Sequence, residues 1–458
     1  MKLWLLSMAT LGLAACATAP ALPPPASMSA GAFINAPTDL AELPADWWRL
    51  YDDPTLDALV TASLAANADL RTGYARLAAA RAGTAQARAA RLPQTRIDSS
   101  AGIDNPSGQP SASNVPATDY DLAATVSWEL DLFGRLRAAA DAAQADAEAT
   151  AAALDGLRVA VAADTVAAYV ELCAARESVA AADAVIAAQA ELTANLRSQL
   201  AAGELSQLEV AQAESLLAAT RATRPGFDAA AAIARYRLAE LRGLMPADPL
   251  VAAIDCRALP ELPAALPIGD GQTLLRRRPD IREAERRMAA ASARIGVAAA
   301  ELYPVVNLGG AIGLLAGGLV STATPLITWT FPNQSPARAR IAQASANEQA
   351  ALAAWDAVTL RALREVESAL LAMAAEAQRK AMLSAAISSA ERTLALAASR
   401  VRHGDASPLL RIDAERVRAD LTRQSIDSSI ALARQQLSLF RALGGGWQQA
   451  PAPLAAAR

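Results

Sequence analysis

The chain has 458 residues and a formal net charge of −4, from 42 lysines and arginines against 46 aspartates and glutamates. This acidic balance does not favour a nucleic-acid partner. Hydrophobic residues make up 53% of the chain but aromatic residues only 4%, because alanine alone accounts for about a quarter of it, far above average usage. Alanine is the best helix former, so the composition indicates long, thinly packed helices rather than two or three ordinary globular domains.

The N-terminus has the pattern of an export signal. Lys2 supplies the positive charge, Leu3 to Leu13 form an apolar run too short to span a bilayer, and small residues precede Cys16. A cysteine in that place resembles the lipobox of bacterial lipoproteins, which implies removal of a signal peptide, 1–15, and acylation of Cys16. An ordinary signal peptide with a chance cysteine is the alternative. Ala17 stands where an aspartate resembles an inner-membrane retention signal, which favours the outer membrane.

Two further cysteines, Cys173 and Cys256, are interpreted as structural thiols. Cys173 lies in an Ala-rich stretch of helical character and Cys256 in a Pro-rich one. A bridge between them is possible once Cys16 is acylated, but their spacing does not indicate one.

The chain contains a tandem duplication. At an offset of 211 residues, Asp69 and Pro93 match Asp280 and Pro304. Further along the offset is 201, and the matched pairs are Trp128 with Trp329, Gly203 with Gly404, and Gly243 with Gly444. The difference, 211 minus 201, is ten residues, so the first half carries ten extra residues between the proline and the tryptophan. A length change of this kind belongs in an exposed loop.

Each half follows the same order of predicted elements: a helix, a proline, a short region of strand character, a very long helix, a glycine-centred turn and a last helix. The very long helices cover roughly 67 residues each, or about 100 Å, and need parallel partners to bury their apolar faces. A filamentous coiled coil is the alternative. The predicted helices are Thr55–Arg91, Arg135–Ala202 and one ending at Gly243, then Gln272–Glu301, Ala337–Arg402 and one ending at Gly444.

Strand character is clearest from Asp121 to Asp131, where apolar residues alternate with mostly polar ones. In the second half Ile327, Trp329 and Phe331 alternate with threonines. About ten alternating residues that end in an aromatic fit a transmembrane β-strand with an interfacial girdle. Weaker strands are predicted before them, with loops between the strands of each pair: strands Gln94–Asp104 and Val305–Ile312, loops Asn105–Thr118 and Gly313–Thr324.

The two hairpins give four strands, which cannot close a barrel in lipid. Unpaired edge groups cost several kcal/mol each, and the smallest lipid-spanning barrels have about eight strands. Three copies would supply twelve strands around a cyclic pore. Two surface hairpins of a soluble protein are the alternative.

Four landmarks in order resemble the TolC-like outer-membrane factor family, specifically its NodT-type lipoprotein branch: Trp47–Tyr51, Ser127–Arg135, Arg278–Glu285 and Ala442–Trp447. The resemblance covers nearly the whole mature chain. It implies a mainly α fold with membrane β structure and a homotrimer. Its twelve-stranded barrel would lie in the outer membrane of a Gram-negative bacterium, and its twelve-helix tunnel in the periplasm. An equatorial belt would include Ala32–Asp53, Pro225–Gly271 and the C-terminal tail.

The expected organisation combines the duplication with that resemblance. The chain begins with the signal peptide 1–15 and a lipid-anchored and equatorial segment 16–53. The first repeat, 54–245, has a hairpin at about 94–131 and a tip at about 203, and an equatorial linker, 246–271, follows it. The second repeat, 272–445, has a hairpin at about 303–331 and a tip at about 404, and the tail is 446–458.

The glycine-centred turns resemble the family's tunnel tips, where a periplasmic adaptor docks. The resemblance assigns Gly203 and Glu204 to one tip, and Gly404 and Asp405 to the other. His403 is the single histidine. It is interpreted as a surface residue, since a metal site would need a partner.

Matched residue by residue, Leu409, Asp413 and Arg416 fall on the gate positions of the lipoprotein branch. Leu409 and Asp413 are four residues apart and share a helix face, so three-fold symmetry would stack a hydrophobic ring and an acidic ring. Arg416 could pair with Asp413, and an ordinary solvated Asp–Arg pair is the alternative. Leu410 stands where some members have a second aspartate.

One departure from the family concerns the segment Pro332–Pro336, where members commonly have an aspartate and a Gly-Gly turn before the long helix. Pro336 is compatible with a first helical turn. We therefore expect the fold to persist with a locally different junction.

The expected function is a passive exit duct for small molecules. The resemblance implies docking on a periplasmic adaptor, an inner-membrane RND-type pump as the source of energy, and contact with outer-membrane lipid. The sequence has no phosphate-cradling glycine loop, nucleophile elbow or metal-ligand cluster, so we expect neither enzyme activity nor a cofactor besides the lipid on Cys16. The alternative is a structural coiled-coil envelope lipoprotein without transport activity.

Overall fold

The computed structural model describes residues 33–35, 43–104, 117–256, 258–262, 266, 268–315 and 318–445. The predicted signal peptide, the predicted lipidation site Cys16 and the tail 446–458 lie outside the described residues. None of the helices in these ranges combines the length and the apolarity that a membrane crossing requires.

Over the described residues, the helices follow the predicted order, with a break in the first helix of each repeat and two additional short helices, Trp47–Tyr51 and Pro249–Ala252. A short 3-10 helix, Trp47–Tyr51, comes first. The α-helices are α1 (Pro54–Ala66), α2 (Ala68–Ala89), α3 (Arg135–Ala201), α4 (Gln207–Leu241), α5 (Pro249–Ala252), α6 (Gly271–Arg277), α7 (Pro279–Ala300), α8 (Ser335–Arg402) and α9 (Pro408–Leu443). The strands are β1 (Gln94–Asp104), β2 (Ala117–Leu130), β3 (Val305–Leu315) and β4 (Gly318–Thr328).

The described chain forms two compact units. The sheet unit includes Ala75–Ala153 and Asp280–Val358, and the helical unit is formed by Ser29–Tyr74, Leu154–Pro279 and Thr359–Arg458. Each repeat supplies one stretch to the sheet unit, so the division into units cuts across the duplication.

The four strands form one antiparallel sheet in the order β1-β2-β3-β4. The register places Trp128 opposite Leu308, and Leu122 opposite Leu314. Because directly opposite residues lie on the same face, one face of the sheet is apolar and the other is mainly polar. The apolar face carries Ile97, Leu122, Ala124, Val126, Trp128, Leu130, Leu308, Ile312, Leu314, Leu319 and Ile327. The predicted alternation is confirmed.

The second hairpin differs from its prediction. The expected loop Gly313–Thr324 is mostly strand, because β3 continues to Leu315 and β4 begins at Gly318. β4 ends at Thr328, so the second hairpin is shorter than the expected 303–331. Trp329 and Phe331 lie beyond the strand, where their rings stack with centroids 4.8 Å apart.

The first helix of each repeat is broken, so the expected single helices Thr55–Arg91 and Gln272–Glu301 were wrong. The breaks fall at Asn67 and Arg278, which are equivalent at the offset of 211 residues. Asn67 Nδ2 donates to the carbonyl of Leu241 at 3.1 Å, and Arg278 Nη1 donates to the carbonyl of Ala442 at 2.8 Å. Each break thus positions a side chain that binds the C-terminal end of its own repeat's last helix, where carbonyls lack partners within the helix.

The core of the helical unit joins the segment before α1 to the end of the chain's last helix. The rings of Trp47 and Phe440 stack with centroids 4.5 Å apart. Leu56 and Val60 of α1 and Leu439 of α9 are fully buried as well. Burying side chains of this size contributes roughly 1.5–3 kcal/mol each, so this region holds the ends of the chain's helical part together.

Cys173 and Cys256 form a disulfide, which corrects their interpretation as structural thiols. The bridge ties α3 to the segment after α5. In the same segment the carboxylate of Asp255 accepts from Arg176 at 3.3 Å, and the Ile254 carbonyl accepts from Arg235 at 3.1 Å. Spacing could not indicate this pair, because the two cysteines are 83 residues apart and meet only through tertiary packing.

Candidate functional site

The sheet presents exposed apolar side chains. Every residue of β4 is exposed, and the exposed fractions reach 57% for Ile312 and 76% for Leu319. β1 and β4 each pair on one side only, so both outer edges carry free backbone donors and acceptors. Such a sheet requires an apolar solvent on one face and further strands at its edges.

A tryptophan closes each hairpin against the preceding helix. Trp128 Nε1 donates to the Arg91 carbonyl at 2.9 Å, and Trp329 Nε1 donates to the Leu302 carbonyl at 3.0 Å. Arg91 and Leu302 are equivalent in the two repeats, as are the tryptophans. The amphipathic ring with its polar edge anchored is the side chain expected at a boundary between lipid and water.

The junctions between strand and long helix use different chemistry in the two repeats. Asp131 accepts from the backbone N–H groups of Leu136 and Arg137 at 2.9 and 2.7 Å, which caps α3. In the segment Pro332–Pro336, which differs from the expected family pattern, Asn333 accepts instead from the N–H of Ser335 at 3.3 Å. The long helix begins at Ser335, so the altered junction still starts a helix.

Each predicted tip is a glycine-centred turn with the same hydrogen bonds. Gly203 and Gly404 have φ angles of 76° and 78°, a conformation that favours glycine at a helix end. The N–H of Glu204 donates to the Gln199 carbonyl, and the N–H of Asp405 to the Arg400 carbonyl, both at 2.9 Å. The two turns therefore have the same backbone design and present exposed carboxylates.

A serine starts the helix that follows each tip. Ser206 Oγ accepts from the N–H of Leu208 at 3.2 Å, and Ser407 Oγ accepts from the N–H of Leu409 at 3.3 Å. Serine is among the preferred N-cap residues. The tips are thus short because a glycine cap and a serine cap stand close together.

The structure brings the two tips together at one end of the helical unit. A buried cluster joins α3, α4 and α9, and its members are Leu192, Leu196, Val210, Ala213 and Ile412. Leu205, next to the first tip, and Leu409, next to the second, pack against this cluster. Apolar packing therefore fixes both turns relative to each other.

The three predicted gate residues have different surroundings. Leu409 is half-buried against the cluster just described, whereas Asp413 and Arg416 are exposed. Among the described residues, no ion pair within 4.0 Å joins Asp413 to Arg416, and the i,i+3 pair of this helical turn is Glu415 with Arg418 at 3.2 Å. Asp413 and Arg416 are therefore available to groups outside their own helix.

Farther along α9 lies a ladder of charges that the sequence reasoning missed. Arg423 donates to Asp420 at 2.9 Å and to Asp427 at 3.1 Å, and Gln424 donates to Asp420 at 2.8 Å. The hydrogen bonds from Arg423 and then Gln424 lower the pKa of Asp420. Opposite charges three and four residues apart are the sequence signal for such a ladder.

His403 is exposed at the second tip, and its Nδ1 lies 2.8 Å from the Ser399 carbonyl. Over the described ranges, no group of three or more histidines, cysteines, aspartates or glutamates is arranged to hold a metal ion. The interpretation of His403 as a surface residue agrees with its position.

The fold and these segments define a membrane channel protomer: a partial barrel joined to paired helical hairpins. The family model of the outer membrane efflux protein matches residues 59–244 and 271–445, which are the two repeats. The chain belongs to the outer membrane efflux protein family.

Relatives and solved structures cover nearly the whole chain. Nodulation protein T of Rhizobium leguminosarum bv. trifolii is 28% identical to this chain, in an alignment that covers 93% of both proteins. The pyoverdine export outer membrane protein OpmQ of Pseudomonas putida is 29% identical, in an alignment that covers 96% of both proteins. The solved outer-membrane channel OprN matches with a TM-score of 0.87 and 35% identity, over 93% of this chain and 98% of that one. The protein is an outer-membrane exit duct for efflux.

Proposed function

We propose that three copies join edge to edge, closing a twelve-stranded barrel that serves as the passive exit duct of a tripartite efflux system for small molecules. The observation that carries this proposal is the four-stranded sheet with two free edges and one exposed apolar face. Three such sheets pair every edge, which removes the cost of unsatisfied backbone groups in lipid. The duct spends no energy, and an inner-membrane RND-type pump supplies the drive.

The two tips are the proposed docking surface for a periplasmic adaptor. Gly203, Glu204, Gly404 and Asp405 are exposed at one end of the helical unit. Their turns share the same backbone hydrogen bonds, so they offer an adaptor repeated equivalent sites. Three copies would present six of them.

The proposed periplasmic gate consists of Leu409, Asp413 and Arg416. Asp413 and Arg416 are exposed and one helical turn from the tip cluster. Rings of charged side chains and hydrophobic constrictions are the usual means of closing a pore. In a trimer, Asp413 could accept from Arg416 of a neighbouring copy, a contact that a single chain cannot form.

Acylation of Cys16 is the proposed second contact with the outer membrane. The acyl chains anchor by burying methylene groups, at about 0.8 kcal/mol each. Replacing the cysteine by Cys16→Ser should abolish labelling with radioactive palmitate, and unchanged labelling would refute the anchor. The bulk of the helical unit then lies in the periplasm.

The test of the duct is the size and conductance of the purified full-length protein. We expect a mass of three protomers by light scattering corrected for detergent, and ion conductance after insertion into planar bilayers. A trimer that never conducts would support the structural coiled-coil lipoprotein instead. A monomer that never conducts would overturn both the barrel and the trimer.

A further inference from the structure

A groove between α2 and α3 opens at the end of β2 in the sheet unit. Its volume is about 850 Å³. Polar and apolar side chains line the groove, and they include Arg81, Arg88, Arg91, Trp128, Gln144 and Glu148. Arg81 and Arg88 are two helical turns apart and so lie on the same face of α2.

The acidic residues of the groove already have partners elsewhere. Glu129 accepts two hydrogen bonds from Arg135, at 2.9 and 2.5 Å. Asp131 is occupied as the cap of α3. Glu148 accepts from Gln144 at 2.8 Å and from Arg286 at 3.2 Å. None of these carboxylates neutralises an arginine that belongs to the groove.

The arginines of the groove lack such partners. Arg88 donates to the neutral amide of Gln144 at 3.1 Å. In the part of the chain that the structure describes, no carboxylate lies within 4.0 Å of Arg81, Arg88 or Arg91. Three guanidinium groups therefore line one groove without a carboxylate at ion-pair distance, which suits an anion with several oxygen acceptors.

The duplication shows that the scaffold does not need these arginines. At the offset of 211 residues, the counterparts of Arg81, Arg88 and Arg91 are Ser292, Ala299 and Leu302. The second repeat builds the same helix, turn and tryptophan hydrogen bond without them. The positive charge is thus a feature of the first groove rather than of helix formation.

Trp128 fixes the depth of this groove in the membrane. Trp128 lies near the end of the apolar face of β2, donates to the Arg91 carbonyl and also lines the groove. Leu92, beside it, is 62% exposed and continues the apolar surface. Since the sheet spans the outer membrane, the groove lies at the level of the lipid headgroups on the side where the helices begin.

We propose that this groove binds the phosphate of an anionic phospholipid in the leaflet next to the helices. The arginines bind the phosphate oxygens, and Trp128 with Leu92 packs against the start of the acyl chains. Basic pockets of this kind at the membrane surface suit acidic headgroups. The inference rests on the sheet's place in the outer membrane.

The test compares lipid retention by two matched double variants of the full-length protein in detergent. Arg81→Ser/Arg88→Ala installs the residues of the second repeat, and Arg71→Ala/Arg76→Ala removes the same charge from the same helix outside the groove. Native mass spectrometry measures retention of phosphatidylglycerol and phosphatidylcholine. We expect the wild type and the Arg71/Arg76 variant to prefer phosphatidylglycerol about tenfold in affinity, and the Arg81/Arg88 variant to lose that preference.

An unchanged preference for phosphatidylglycerol in the Arg81→Ser/Arg88→Ala variant would overturn the proposal. An equal loss of that preference in the Arg71→Ala/Arg76→Ala control would overturn it as well. Complete displacement of the lipid by millimolar inorganic phosphate would also overturn it, because that result would indicate a site for free anions. Arg81→Lys/Arg88→Lys should restore part of the preference. Conductance of the same samples is measured separately. Loss of the lipid preference in the Arg81→Ser/Arg88→Ala variant with normal conductance would support lipid binding in the groove. A wild type that fails to conduct would count against the proposed duct alone.

Discussion

Asp53 connects α1 and α3 of the helical unit through one carboxylate. Its Oδ1 accepts from the N–H groups of Thr55 and Leu56, at 2.8 and 3.2 Å, and so caps α1. Its Oδ2 accepts from the hydroxyl of Tyr169 on α3 at 2.7 Å. The cap satisfies backbone donors that the helix itself cannot, and the second bond satisfies a hydroxyl on a buried ring.

Asp53→Ala should therefore lower the free energy of unfolding by about 1–3 kcal/mol, since it removes an N-cap and leaves the Tyr169 hydroxyl without its acceptor. Thermal unfolding followed by tryptophan fluorescence measures the change. Asp53→Asn is the matched control, because its amide oxygen can still cap the helix. Equal stability of Asp53→Ala and the wild type would contradict this role.

Tyr169 also predicts an alkaline limit to stability. Burial, and then the hydrogen bond to Asp53, raises the pKa of Tyr169 above its ordinary value, and burial raises the pKa of Tyr51. A raised pKa in the folded state means that stability is intact below the ordinary tyrosine pKa of about 10 and falls as the pH rises above it. Thermal unfolding midpoints should be measured from about pH 8 to about pH 11, a range that brackets the ordinary tyrosine pKa. The midpoint should fall less steeply with rising pH in Tyr169→Phe than in the wild type. An identical pH slope in that variant would exclude Tyr169 as the cause.

Asp413 and Arg416 are the residues on which the gate proposal can be tested. Asp413→Ala/Arg416→Ala should raise single-channel conductance roughly twofold or more, because it removes charged side chains from the proposed constriction. Asp228→Ala/Arg224→Ala removes one aspartate and one arginine of an ion pair elsewhere in the helical unit and should leave conductance unchanged. Equal conductance of the wild type and the Asp413/Arg416 variant would place the gate elsewhere.

At the scale of elements, the last helix of each repeat ends in a glycine that the packing demands. Gly243 has a φ of 66°, and a Cβ on it would lie 2.9 Å from the Ala66 carbonyl oxygen at the end of α1. Gly226, within α4, has open space around its Cα. The two positions differ in geometry although the residue is the same.

Gly243→Ala should destabilise the helical unit by about 1–2 kcal/mol from the left-handed backbone alone, with the contact to Ala66 adding to this. Gly226→Ala should instead raise the free energy of unfolding by about 0.5–1 kcal/mol, because alanine is the better helix former in α4. Chemical denaturation of both variants distinguishes them. A stabilised Gly243→Ala would mean that the turn adapts.

Most elements could be predicted from local patterns, and the exceptions have physical causes. β1 has its predicted bounds, since its flanking proline and alternation are local signals. The first part of β4, up to Thr324, was predicted as a loop because glycines and threonines there indicate turns. In the sheet, a Cβ on Gly313 would clash with the Leu122 carbonyl of the neighbouring strand, so glycine at that position serves close strand pairing. The breaks at Asn67 and Arg278 depend on carbonyls more than 160 residues away, which no local pattern contains.

At the scale of the whole molecule, the disulfide and the export signal agree. Disulfides persist in oxidising compartments such as the periplasm, and the N-terminal pattern predicts export into that compartment. The bridge between Cys173 and Cys256 closes a loop that contains the first tip, α4 and α5. The site residues Gly203 and Glu204 are therefore held within a covalently closed part of the first repeat.

Cys173→Ala/Cys256→Ala should lower the free energy of unfolding by about 2–4 kcal/mol, because the open chain has more freedom when unfolded. Treating the wild type with a reductant should cause a similar decrease in the unfolding midpoint, and the same treatment should not affect the double variant. An unchanged midpoint in the variant would show that packing alone holds the segment after α5.

The paired tryptophan hydrogen bonds have a consequence for how the assembled duct is imaged. Three copies would present six hairpins, each closed by an equivalent tryptophan hydrogen bond, so we expect a view along the pore to have apparent six-fold rotational symmetry at low resolution. Particle alignment in electron cryomicroscopy can then settle one sixth of a turn from the true orientation and average the two repeats together. Features that distinguish the repeats include the ten extra residues of the first hairpin, and Arg81 and Arg88 against Ser292 and Ala299. Focused classification on that hairpin should recover the true three-fold symmetry.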